Sequence, residues 1–103
     1  MKIQEEINAP FKTITLSFQG NLDENSAASA ERKILEAFGG EYDNIGLDLS
    51  SVGYISSIGI RVLIIAYKKS IKSGKKFAIT KMSDRARDTL SMVGLLPVFE
   101  QVS

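Results

Sequence analysis

A chain of 103 residues suits one small domain with its own core, and 44% apolar with 24% charged residues are ordinary globular proportions. Thirteen basic against twelve acidic residues leave +1, so the overall charge gives no basis for direct nucleic-acid binding. The complete lack of histidine and cysteine excludes Cys/His zinc sites, disulfides, cysteine nucleophiles and a Ser-His-Asp triad.

Ile3-Gln-Glu-Glu-Ile7 alternates weakly and reads as an edge strand, and Asn8-Ala-Pro10 signals a turn. Residues 12–19 alternate cleanly, with Ile14, Leu16 and Phe18 on one side and Thr13, Thr15 and Ser17 on the other. Together they predict an antiparallel hairpin. Residues 20–26 form a polar loop in which Asp23, Asn25 or Ser26 can cap the next helix. That helix carries a buried stripe of Ala27, Ala30, Ile34 and Phe38, with Leu35 alongside, and stops at Gly39-Gly40.

Residues 45–49 are mostly apolar and suit a central strand covered on both faces. Asp48 can cap a turn at Ser50-Ser51 or line a site. A second helix over 57–72 is apolar almost all round, as expected of a central helix. Lysines gather in its last turns, and Ser73-Gly74 ends it. Residues 76–80 form a strand parallel to 45–49, joined to it by a right-handed crossover. Ser83 caps a third helix whose inner stripe is Ala86, Leu90 and Val93, and Gly94 ends that helix. A short apolar segment at 95–99 is a candidate last strand. The order predicts an α/β (α+β) fold: one domain over 1–103, with a mixed β-sheet of four to five strands and helices mainly on one face. Threonines and serines then supply the modest polarity of the other face.

The chemistry concentrates at Ser56-Ser57, where a strand feeds the second helix and Gly59 follows. A helix start welcomes an anion, including a phosphate. Either serine can be an N-cap, and Ser57 can be a phosphoacceptor. A serine nucleophile would need a base within about 3 Å. Lys68 and Lys69 lie roughly 16 Å along the same helix and Asp48 is a poor activator, so no catalysis is expected. Gly59 allows either close packing against the sheet or the approach of a partner. Arg61 stands at i,i+4 spacing from Ser57, where it can pair with a phosphate. Asp23 and Asn25 rim the same surface if their loop lies beside this turn. The N-terminus lacks an apolar signal core, and the longest apolar run, 62–67, is far below the roughly 20 residues of a membrane helix. A soluble, cytoplasmic domain is expected, with no membrane insertion, metal or cofactor.

The run Asp48-Leu-Ser-Ser-Val-Gly-Tyr-Ile-Ser-Ser-Ile-Gly-Ile-Arg-Val-Leu63 resembles the core motif of the STAS domain family of bacterial anti-sigma factor antagonists, which reads roughly Asp-Leu-Ser-x-Val-x-Tyr-Met-Asp-Ser-x-Gly-Leu-x-x-Leu. The Gly20-Asn-Leu-Asp23 loop, Gly74-Lys75 and Val93-Gly-Leu-Leu-Pro-Val-Phe99 fall in matching order, so the resemblance covers most of the chain. It implies a partner-switching regulator. The serine aligned with Ser57 is phosphorylated by a cognate serine kinase that is also the anti-sigma factor. The unphosphorylated form binds that kinase and frees a sigma factor, and a phosphatase resets the cycle. The implied contact surface comprises the loop with Asn21, Asp23 and Asn25, the turn of Ser56, Ser57, Ile58 and Gly59, and the helix beyond with Arg61, on a monomer or weak dimer. Ser56 stands where the family usually has an acidic residue, and Ile58 where serine is common, so Ser56 is the alternative acceptor. Other members act as non-switching scaffolds or as subunits of lipid-transport complexes.

Overall fold

The computed structural model describes residues 1–101, with side chains through Phe99. Strand β1 (Lys2–Asn8) leads through a 3-10 turn (Ala9–Phe11) to β2 (Thr13–Leu22), and the two pair antiparallel. Helix α1 (Ala27–Gly39), strand β3 (Asn44–Ile55), helix α2 (Ser57–Ser73) and strand β4 (Lys76–Met82) follow. Helices α3 (Asp84–Met92) and α4 (Leu96–Gln101) close the described chain.

The sheet order is β1-β2-β3-β4, with β3 parallel to both β2 and β4. A sheet that grows one strand at a time through right-handed crossovers sets successive helices on one face, and α1 and α2 touch there. Register brings Ile14, Ile45 and Phe77 side by side, and Leu16, Leu47 and Ile79 beside them. All six are buried under the helices. The opposite face carries Thr13, Thr15 and Ser17 next to Asn44, Gly46 and Asp48.

The structure changes several expectations. β3 is twelve residues long, and only one of its faces is covered by helices. It continues through the serines to Ile55, passing a register shift at Asp48. β2 likewise runs on to Leu22, which is fully buried where a loop was expected, because Gly20 and Leu22 pair with Val52 and Ile55. The segment at 95–99 adds no strand, since α4 begins at Leu96. Phe99 drops from it into the core, edge-on to both Tyr67 and Phe77 at 6.3 Å between ring centroids. Ala37 takes the inner place expected of Leu35, and Val93 lies half exposed beyond the last turn of α3. Helix α2 buries a single stripe of Gly59, Val62, Leu63, Ala66 and Ser70, so it is covered on one side and open on the other.

Candidate functional site

The end of β3 and the start of α2 meet the end of β2 at one rim of the sheet. Ser56 leaves the strand in extended geometry and takes the N-cap position of α2. Its Oγ accepts the Gly59 N–H at 3.2 Å, satisfying one of the unpaired donors of the first turn. Its own N–H donates to the Leu22 carbonyl at 2.9 Å. Both bonds hold Ser56 inward, where it is 9% exposed.

Ser57, the first residue of α2, is exposed. Its hydroxyl makes no hydrogen bond to any described residue. One step in the chain therefore separates a serine spent on the fold from one presented to solvent. Arg61 is exposed one turn further on. At i,i+4 the two side chains are neighbours, with Cβ atoms about 5–6 Å apart. Ile58 is 42% exposed beside them.

Gly59 is buried, and a side chain there would collide with the Leu22 carbonyl and approach Ile55 Cγ2 to 3.0 Å. Close packing accounts for this glycine. It brings the loop after β2 against the start of α2. The loop is closed by its own polar groups: Ser26 Oγ donates to the Asn21 carbonyl at 2.7 Å and accepts the Asp23 N–H at 3.1 Å. Asp23 Oδ1 accepts the Asn25 N–H at 3.0 Å. Ser26 occupies the N-cap position of α1 without a side-chain cap bond, since its hydroxyl is already engaged in the loop. Asn21 and Asn25 are exposed and Asp23 is half-buried. Gly53 brings β3 close to the Asn21 side chain, whose Oδ1 would lie 3.2 Å from a Cβ there. The predicted residues thus share one rim, with Ser56 and Gly59 beneath the surface.

Tyr54, on β3 two residues before the cap, is 54% exposed. Sequence reasoning did not single it out. The available signal was an aromatic side chain in a strand immediately before a serine pair. Asp48 lies apart from Ser57 on the open sheet face, where its carboxylate accepts the Ser50 N–H at 2.9 Å and the Ser50 hydroxyl at 2.6 Å. Burial pushes the Asp48 pKa up. The two Ser50 bonds and the Lys81 charge outweigh that, so the net shift is downward from 3.8.

No group of three or more carboxylates among the described residues is placed to hold a metal ion. No helix among them is long and apolar enough to cross a membrane.

Residues 2–103 match the family model of the STAS domain. The chain belongs to the STAS domain family. Among solved structures, this STAS domain is similar to an anti-sigma factor antagonist from Mycobacterium paratuberculosis, with TM-score 0.78 and 22% identity over 95% of this chain and 83% of that one. It is also similar to the Bacillus anti-sigma factor antagonist SpoIIAA in its unphosphorylated form, with TM-score 0.77 and 18% identity over 93% of this chain and 84% of that one. The phosphorylated form of SpoIIAA matches with TM-score 0.71 and 18% identity, over 93% and 86% of the two chains. A sulfate transporter family protein from Wolinella succinogenes matches with TM-score 0.76 and 16% identity, over 91% and 75%. No curated protein sequence matches the chain. At these identities the likeness is one of fold.

Proposed function

We propose that this STAS domain is an anti-sigma factor antagonist: a cytoplasmic, non-catalytic regulator that binds a serine kinase acting as anti-sigma factor and releases it when Ser57 is phosphorylated. The observation that carries the reading is the division of labour between the paired serines. Ser56 is buried with its Oγ bonded to the Gly59 N–H, while Ser57 offers an unbonded hydroxyl at the positive end of a seventeen-residue helix. A phosphoryl group there adds about −1.5 to −2 charges and new bulk in the middle of the rim formed with Asn21, Asp23, Asn25 and Ile58. The helix end and Arg61 tolerate that charge within the domain, whereas a docked partner meets it as repulsion and lost contact. Phosphorylation at Ser56 instead requires opening the cap. A family of fold relatives that includes one protein solved in both phosphorylated and unphosphorylated forms also supports the reading. A phosphatase then restores binding.

The test is incubation with ATP and candidate anti-sigma serine kinases, read by intact-mass and fragment mass spectrometry. The expected result is a single phosphate on Ser57, absent from Ser57→Ala and present in Ser56→Ala, with the phosphorylated form no longer retained by the kinase. Incorporation that persists in Ser57→Ala, or no incorporation with any such kinase, overturns the reading. A constitutive scaffold or transporter subunit, the role suggested by the sulfate transporter relative, predicts instead that Ser57→Asp leaves partner binding intact.

A further inference from the structure

The sheet ends on two free edges, and they are built differently. The β4 edge carries exposed Lys76 and Lys81 near its two ends, and its register with β3 shifts after Leu47. Charged ends and an irregular ladder are ordinary defences against a further strand. Strand β1 has neither proline nor register shift, and it pairs with β2 without a break from Lys2 to Asn8. Its outer edge therefore offers a straight row of backbone N–H and C=O groups. Every residue of it except Ile3 is exposed. Pairing with β2 sets Ile3, Glu5 and Ile7 on the helix side of the sheet, and Lys2, Gln4 and Glu6 on the open face. Glu5 is held at 3.3 Å by Lys33 of α1. Lys2 and Glu6 form no ion pair with any described residue.

We infer that β1 pairs antiparallel with β1 of a second copy of this chain, about a two-fold axis at Gln4, with Lys2 of each copy opposite Glu6 of the other. A two-fold axis normal to the sheet keeps both open faces on one side, so every allowed register is centred on one residue. Registers centred on Ile3 or Ile7 pair only one end of the strand. Those centred on Glu5 or Glu6 set identical carboxylates directly opposite each other, which is destabilising. Gln4 is the remaining centre. It sets amide against amide and brings Lys2 against Glu6 twice, opposite charges directly opposed on one face. Glu5 then faces Ile3 of the other copy, with its charge answered by Lys33 within its own. Charges on an edge deter pairing in general; this arrangement deters every register but one. The contact satisfies the outward backbone groups of both strands and makes one continuous sheet. It covers no large apolar face, so the dimer is weak and depends on concentration. The two copies run antiparallel, so their Ser57 rims point to opposite ends of the joined sheet and neither is covered. On the proposed function, which this last point alone requires, a dimer presents two kinase-binding rims at once.

The test combines sedimentation equilibrium of the full chain, from micromolar to millimolar concentration, with single-cysteine crosslinking, which is unambiguous in a chain that has no cysteine. The wild type is expected to form a dimer and no larger species. Lys2→Glu and Glu6→Lys each set like charges in both pairs and should raise the dissociation constant by about tenfold or more. Lys2→Glu/Glu6→Lys exchanges the charges and should restore the wild-type value. Under a thiol oxidant, Gln4→Cys meets its own counterpart across the axis within disulfide reach and should crosslink rapidly. Glu5→Cys, whose counterpart lies two residues further along, and Ser91→Cys, exposed on α3, should crosslink only at the collisional rate. A chain that stays monomeric at millimolar concentration overturns the inference. So does a double variant that associates no better than the single ones, because the charges then do not face each other. Faster crosslinking of Glu5→Cys than of Gln4→Cys also overturns it, since the axis would lie at Glu5. Phosphate incorporation at Ser57 reports on the switch and sedimentation on the dimer, so the two readings fail separately.

Discussion

Gly59 lies flat against the backbone carbonyl of Leu22, too close for any side chain between them. The same carbonyl accepts the Ser56 N–H at 2.9 Å. The end of β2, the cap and the first turn of α2 therefore form one rigid corner, and the exposure of Ser57 is a consequence of it.

Gly59→Ala should be destabilising although alanine is the better helix former. The propensity gain is at most about 1 kcal/mol. Overpacking against a backbone carbonyl, which cannot rotate away, costs about 1–3 kcal/mol. Urea denaturation should give a net loss of stability. A variant as stable as the wild type would show that the corner yields.

The paired serines should separate in stability as well as in chemistry. Ser56→Ala removes the acceptor of the Gly59 N–H and should cost about 1 kcal/mol. Ser57→Ala removes an exposed, unbonded hydroxyl and should stay within about 0.5 kcal/mol of wild type. Thermal melts of the two variants check this, and the reverse order would mean that Ser57 is the cap.

Asp48 should contribute to the acid limb of the stability curve. Its pKa in the folded state is below 3.8 because the Ser50 bonds and Lys81 outweigh burial. A lowered folded-state pKa means that the contribution is fully present above the unfolded value, about 3.9, and is lost as pH falls through the folded value. The stability difference between wild type and Asp48→Asn should accordingly be constant above about pH 4 and shrink below it. A difference independent of pH down to the acid transition would sink this assignment.

The terminal helix should matter more than its length suggests. Phe99 is 1% exposed and fills the space between Tyr67 and Phe77. Phe99→Ala should cost about 3–5 kcal/mol. Val93→Ala, half exposed, should change stability by less than about 0.5 kcal/mol. Calorimetry on both variants distinguishes a core helix from a surface tail.

Much of this was legible because the signals are local. Period-two alternation at residues 12–19 gave the inner residues of β2 correctly. Ser83 was readable as a cap, and it does accept the Ala86 N–H at 3.1 Å. Gly74 ends α2 in the left-handed conformation at φ 73°, as glycine after a helix should. Readings failed where a distant segment decided the outcome. Ser50 and Ser51 look like a turn, yet parallel pairing of Ser51 with Gln19 keeps β3 extended through them. Leu22 sits in a polar run, yet its pairing with Ile55 makes it a fully buried strand end. The 95–99 segment is apolar enough for a strand, but it finds its partners in the aromatic rings of α2 and β4 and coils as a helix to reach them.

The sequence by itself determined the order of elements from β1 to α3, the helix-covered side of β2, the parallel β3-α2-β4 unit and the placement of a serine pair at a helix start. Those depend on periodicity and capping, which neighbours in the chain settle among themselves. Only the tertiary structure decided which serine is buried and which is free. That depends on the carbonyl of Leu22, more than thirty residues earlier in the chain, fixing the direction in which β3 enters α2. The structure also decided that one side of α2 stays open, because its neighbours pack against a single stripe from Gly59 to Ser70.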